Sequence, residues 1–598
     1  RRKQGGVVGA AASKTQVPLK ARCGCWVPQP DSGAHSKSSR LPPQVKIASY
    51  GKKDYTIKKR CGVQAAGQDA GDETMKRRDF CKGLAVTFAA GTLAPAAALP
   101  QAGAATALVG RAVPDDYYTL WYRSDRCGAD LRHDYYYSDS LFDHPATEYD
   151  NQLALATLGM AAAADCTWES DQRYWMEGEV GRADHIRDAF AKLGFTEVQL
   201  FNYTHSLNDT PDTVGCAIAR KTLVRGGRQV TIIGAFLRGS GYGAEWSGNL
   251  HAGPGSAHVG FVTAARQLVE KIRAYVQASA KRQPLGTLKL WMGGYSRGGG
   301  VANLVAARLP AVLPQLEKKN TFVYTFAAPA SLTVADCPDL QQDYDNNHAA
   351  DGSLKKNWGT SNIFNIVSSG DVIPRILPAE WGFYRNGNDR FLPSTVIPEE
   401  LQALNDRSAG MEGTPMDFGR LAVSEETDAV LRSMMDLFCD RQTYYKGYED
   451  AMRCMLQCAT TRTEEEVTRG IVRDDAAVVA QLRSMELMQR FPQEKVERCV
   501  QAASALSRPV LEKLGSAVPL QAQQIVIPML AVGLCFELQP ETVQLVADFV
   551  LSTITVKGQL SGILKTVLCH FQENYITVLE AYDPADHGMT PYTRREEL

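Results

Sequence analysis

The chain has 598 residues and a net charge of −1, from 65 basic and 66 acidic side chains; 44% of it is hydrophobic and 22% charged. These values describe a folding chain with room for more than one unit and ample core, and they exclude a disordered polymer, a collagen or a long coiled coil. Without a basic excess, a general nucleic-acid binder is excluded as well.

The near-neutral average hides an asymmetry. Residues 1–74 hold 14 Lys/Arg and 5 Asp/Glu, whereas residues 108–598 hold 47 and 60. The first 74 residues are rich in Gly, Ser, Lys and Gln and have no sustained apolar period, so they are expected to be an upstream or disordered extension. Met75 is the first methionine. From it runs MKRRDFCKGLAVTFAAGTLAPAAALPQAGAATA, a charged patch, a weakly apolar run and a small-residue exit. That is the layout of a cleaved signal peptide over 75–107. Arg77-Arg78-Asp79-Phe80-Cys81-Lys82 resembles the bacterial twin-arginine signal, with Cys81 in place of the usual Leu. Export across the bacterial cytoplasmic membrane by the twin-arginine machinery is therefore expected. The protein would then be periplasmic, held at the envelope or secreted. Ile525–Phe536 is apolar but only 12 residues long and contains Pro528, too short for a span, so no transmembrane helix is expected in the mature chain.

In chain order, residues 149–164 read as a helix with a long alanine face, and residues 182–194 as an amphipathic helix stopped by Gly194. Phe195–Tyr203 reads as a strand. Val214–Val224 and Gln229–Leu237 flank Arg225-Gly226-Gly227-Arg228, a hairpin signal. A strong amphipathic helix follows over 261–276, then a short buried strand Leu288–Met292, a helix Gly299–Leu309, and strands Thr321–Ala327 and Ile363–Val367. Strand–helix alternation of this kind predicts an α/β fold with a mostly parallel sheet, preceded by an antiparallel hairpin. After about residue 395 the period turns helical, with candidates at 424–439, 447–459, 474–490, 494–506 and 540–552. The organisation expected is a core over 108–395, a helical insertion over 396–555 and a return to the core over 556–598.

Gly294-Tyr295-Ser296-Arg297-Gly298 follows a strand and opens a helix. This G-x-S-x-G places a serine on a sharp turn, where small flanking residues Gly294 and Gly298 let strand and helix approach. The helix N-terminus then offers the Arg297 N–H and its dipole to a developing oxyanion. A second donor is needed from an earlier strand end. Ile232–Leu237 runs into Arg238-Gly239-Ser240-Gly241, so the Ser240 N–H is the natural partner; Arg238 reads as a plain surface charge without chemistry. None of the fourteen cysteines forms a C-x-x-C pair, and Cys454 and Cys458 read as buried small hydrophobes; no metal site is indicated.

The stretch AFLRGS…H-x-G-F…GYSRGG…FAAP…SSGDVIPRILP resembles the class 3 lipase-like α/β-hydrolases, and in particular a bacterial branch whose core opens with a YDNQLA-type helix, here Tyr149–Ala154. The resemblance spans about 130–395 and resumes near 563–580. It implies an α/β-hydrolase fold and assigns the R-G-[ST] donor to Ser240. It makes His258 structural and places the catalytic acid before V-P-R, which Asp371 matches on the loop after Ile363–Val367. Triads of this fold run Ser, acid, His. Only His570 and His587 follow Asp371. His570 precedes a closing helical run with an aromatic five residues on, as the family pattern implies, whereas His587 sits in a polar tail.

The function expected is an exported serine hydrolase of carboxylic esters, with lipid-like acyl esters as substrate and no cofactor. Ser296 would be nucleophile, His570 base and Asp371 acid. The same residues would serve an acyltransferase, and a non-catalytic surface or binding protein on a hydrolase fold is the reading from a different class. The helical insertion lies between acid and base, at the rim of a site of this kind, where it would act as a lid or as a scaffold.

Overall fold

The computed structural model describes residues 111–124, 130–165, 178–179, 183–205, 211–240, 243–255, 257–333, 360–392, 424–438, 440–460, 470–514, 520–545 and 566–581. The extension, the twin-arginine-like segment and His587 lie outside the described residues.

The frame is a seven-stranded sheet whose spatial order follows the chain. Its strands are β3 (Thr196–Phe201), β4 (Cys216–Arg225), β5 (Arg228–Leu237), β6 (Thr287–Tyr295), β7 (Thr321–Phe326), β8 (Ile363–Ser368) and β9 (Asn388–Leu392). β3, β4 and β5 pair antiparallel, with the β4–β5 hairpin turning at Arg225–Arg228. From β5 to β9 every pairing is parallel. A separate antiparallel hairpin, β1 (Asp116–Arg123) with β2 (Asp130–Tyr137), precedes the frame and has no strong apolar alternation in sequence.

Parallel strands require crossovers, and helices supply them. α1 (Asn151–Ala164) is capped by Asp150, whose carboxylate accepts from Leu153 N at 2.8 Å. From Leu153 onward it is buried on every side, which explains a composition with no polar face. α2 (Ala183–Lys192) packs on the same face of the sheet; a short helix α3 (Gly243–Gly248) follows β5. α4 (Val259–Arg282) and α5 (Arg297–Val312) cover the opposite face, and α11 (Gln572–Ala581) returns to the side of α1. One apolar core therefore fills each face of the sheet.

A third core belongs to the helical region: α6 (Ser424–Phe438), α7 (Glu449–Thr460), α8 (Asp475–Ser484), α9 (Gln493–Leu514) and α10 (Leu520–Cys535). It also takes in Ala252, Ala330, Leu377, Trp381 and Phe383 of the sheet-bearing part. The helix expected over 474–490 is shorter because its second half becomes a 3-10 turn at Glu486–Met488 after Met485 leaves helical dihedrals. The apolar run lies in α10 up to Cys535, packed against α7 and α9 with Pro528 inside the helix. Among the described residues no helix is long and apolar enough to cross a membrane. Cys454 and Cys458 are buried in α7, and burial pushes both thiols up, Cys454 to about 12, so they act as small core residues.

Candidate active site

β6 ends at Tyr295 and α5 begins at Arg297, so Ser296 alone makes the turn. Its φ of 52° and ψ of −124° place an L-residue in a region that costs on the order of 1–3 kcal/mol and persists only where neighbours enforce it. They do so here. Ser296 N donates to Phe326 O at the end of β7 at 2.9 Å. A Cβ on Gly298 would meet Leu237 O at 2.4 Å, and one on Gly294 would meet Gly298 O at 2.5 Å. The two glycines thus let the first turn of α5 sit against both β6 and the end of β5. That contact brings the Leu237–Ser240 loop beside the Arg297 backbone.

The loop after β8 carries Asp371, which is fully buried. Its Oδ1 accepts from Ile373 N at 2.9 Å, and its Oδ2 accepts from His570 Nδ1 at 2.8 Å and from Tyr575 Oη at 2.8 Å. His570 Nε2 lies 2.9 Å from Ser296 Oγ. A carboxylate only accepts, so its partner Nδ1 carries the proton and Nε2 is left to accept from the serine hydroxyl. Chain segments 274 and 199 residues apart are thereby joined into one relay of hydrogen bonds.

Two tyrosines with no hydrogen-bonding role assigned from the sequence complete it. Tyr295, next to the serine, donates from Oη to the His570 carbonyl. Tyr575 donates to Asp371 and accepts from Ser368 N at 2.9 Å. Burial, and then the Asp371 charge, push the Tyr575 phenol far above its ordinary value, so it remains a neutral donor. The aromatic five residues after His570 was visible in sequence; its hydroxyl's partner was not.

Ser240 is 8% exposed, and its Oγ accepts from Asn249 Nδ2 at 2.9 Å. The same Asn249 accepts from Arg297 Nη1 at 2.8 Å, so one amide holds both oxyanion candidates together. The Arg297 side chain is buried, donating also to Thr213 O and Pro211 O, and its guanidinium lies over the Phe261 ring. Arg238 departs from the surface charge expected of it. It is fully buried in a two-pronged pair with Glu245, at 2.6 and 3.1 Å, and donates to Asn202 O. Losing one partner of such a pair strands a buried charge, at about 3–5 kcal/mol. His258 caps α4, accepting from Phe261 N, and burial pushes its imidazole down to about 3; it lies outside the relay and is a neutral structural group.

Residues 240–381 match the family model described as Lipase (class 3), a segment holding Ser240, the elbow and the acid loop. No curated protein matches the chain. Among solved structures it is similar to the triacylglyceride lipase of Rhizomucor miehei, at 19% identity, with 40% of this chain and 79% of that one covered and a TM-score of 0.27. It is also similar to a lipase from Rhizopus microsporus var. chinensis, at 17% identity, 41% and 75% coverage and a TM-score of 0.27. Lipase II from Rhizopus niveus matches at 17% identity, 40% and 80% coverage and a TM-score of 0.25. Over residues 240–381 the chain is thus similar to the class 3 lipases, and its strand order is that of a mostly parallel α/β sheet with an antiparallel hairpin at one edge.

Proposed function

We propose that the protein cleaves lipid-like acyl esters through Ser296, His570 and Asp371. The observation that carries this reading is the continuous Ser296 Oγ–His570–Asp371 relay, with contacts of 2.9 and 2.8 Å. Ser296 Oγ attacks the ester carbonyl while His570 Nε2 takes its proton. The tetrahedral oxyanion is held by the N–H groups of Ser240 and Arg297, and a donor of this kind contributes about 10²–10³-fold in rate. Collapse expels the alcohol, which takes the proton from Nε2. Water then repeats the sequence on the acyl-enzyme, and Asp371 stabilises the imidazolium in each half.

An apolar cavity of about 70 Å³ supports an acyl chain as the occupant. Its wall is formed by Leu250, Ile376, Leu377 and Trp381 on one side and by Leu431, Met434, Phe438 and Leu456 of the helical region on the other. Leu250 follows Asn249, and Ile376 follows the acid loop, so two of its lining residues are chain neighbours of the site. The Tyr444 hydroxyl in this wall donates to Leu250 O, and the other lining side chains are nearly all apolar. In this reading the insertion expected over 396–555 supplies that wall through its described helices α6 and α7, and residues 75–107 direct twin-arginine export.

A fluorophosphonate probe tests the reading. Labelling of the full chain that is lost in Ser296→Ala, together with loss of ester hydrolysis, is the outcome expected. Unlabelled, well-folded protein would point to a binding function. Export is read separately: a reporter fused to residues 75–107 should stay inside when Arg77 and Arg78 both become Lys.

A further inference from the structure

We infer that Asp165 and Arg238 are positioning residues that clamp the Gly239–Ser240 peptide, aiming its N–H at the oxyanion. The inference rests on the reading of Ser240 as an oxyanion donor.

Asp165 is the residue on which α1 ends, and it is 4% exposed. Its Oδ1 accepts from Gly239 N at 2.6 Å, and its Oδ2 accepts from Gln572 Nε2 at 2.5 Å. Gln572 stands two residues after His570 and opens α11. One buried carboxylate therefore ties the end of α1 to the oxyanion loop and to the loop bearing the base, 74 and 407 residues away in sequence.

Arg238 takes the other side of the same unit. Its Nη1 donates to Gly239 O at 3.0 Å, and the guanidinium is itself held by both oxygens of Glu245 and by Asn202 O. Gly239 O and Ser240 N–H belong to one planar peptide, and it is trans. In a trans peptide the N–H points opposite to the C=O. Fixing the oxygen on Arg238 thus fixes the direction of the N–H, and a cation on the oxygen polarises the amide and strengthens its donor. A donor held in place before the reaction costs no reorganisation when the oxyanion forms. The Asp165 bond to Gly239 N removes the remaining freedom, rotation of the loop just ahead of this peptide.

The test compares wild type, Asp165→Ala and Asp165→Asn on a soluble ester and on the matching thionoester, whose developing sulfur anion an oxyanion hole serves poorly. In Asp165→Ala, kcat on the ester should fall about 10–10²-fold with KM within about twofold. Affinity for a boronic acid that forms a tetrahedral adduct should fall in proportion, and the ester-to-thionoester ratio should narrow. Asp165→Asn should recover most of the loss, because its amide oxygen can accept from Gly239 N while Gln572 turns its own amide. If Asp165→Ala does not fold, Asp165→Ser, with a hydroxyl too short to reach Gly239 N, takes its place with the same expected losses. A wild-type enzyme that turns over ester and thionoester alike would overturn the oxyanion reading itself. A high wild-type ratio left unchanged in the folded Asp165 variant, with unchanged kcat, would overturn the clamp and leave that reading standing.

Discussion

The sheet-bearing core and the helical region bury apolar surface equally well but hold their polar groups differently. In the core, catalytic candidates sit at the C-terminal ends of β5, β6 and β8, where the backbone itself aims them, and the buried carboxylates Asp371 and Asp165 have three and two donors. In the helical region the buried surface is largely Met, Leu, Ile, Val, Ala and Cys, and several of its polar contacts face the core. Thr427 Oγ1 donates to Gly370 O at 2.9 Å, and Arg375 pairs with Asp428, on either side of Asp371. Arg441 donates to Gly253 O at 3.0 Å and to Thr333 Oγ1 at 3.1 Å, and Glu449 accepts from Gly253 N at 3.0 Å. A swinging lid needs few such anchors. The strand ends hold the hydrogen-bonded relay, while the helical region braces the loop that carries Asp371.

The comparison breaks most sharply at the base. His570→Ala should lower turnover by about 10³-fold or more with little change in melting temperature, measured on a short soluble ester. Normal turnover would remove the relay from the mechanism. Tyr575→Phe deletes one of two donors to Asp371 Oδ2 and leaves the packing intact, so kcat should fall by about 10-fold. An unchanged kcat would make this tyrosine merely a core residue. On the helical side, Leu431→Trp fills the apolar cavity; kcat/KM for long acyl esters should drop about 10-fold relative to short ones, while kcat for the shortest ester holds. A uniform loss across chain lengths would show that this wall acts through the acid loop alone.

The smallest effect separates fold from chemistry. His258, held at about 3 against an ordinary value of 6.5, binds a proton more readily in the unfolded chain. Its contribution to stability is therefore complete above pH 6.5 and is lost as pH falls from there toward 3, reaching about 2 kcal/mol at pH 5. In His258→Asn, which keeps a helix cap, the melting temperature should fall less between pH 7 and pH 5 than in wild type. Parallel curves would show that another group dominates acid sensitivity.

Much of this was legible along the chain, because periodicity and turn chemistry are local. The helices at 149–164 and 261–276, the Arg225–Arg228 hairpin and the strand–Ser296–helix turn all carry their signals within a few residues. The sequence also singled out Ser240, Arg297, Asp371 and His570, the last two with help from a family pattern, and the fold brings Ser296, Asp371 and His570 within hydrogen-bond reach of one another. The β1–β2 hairpin escaped notice because its tyrosines and charges alternate without a clear apolar face. The fate of polar side chains, in contrast, depends on how the chain packs. Arg238 reads as a surface charge until Glu245 is placed beside it, and Asp165 looks like an ordinary helix end until Gly239 and Gln572 arrive from 74 and 407 residues away. A side chain's partner is set by the closing of the sheet and its helices, and no local pattern encodes which distant donor will meet a given buried oxygen.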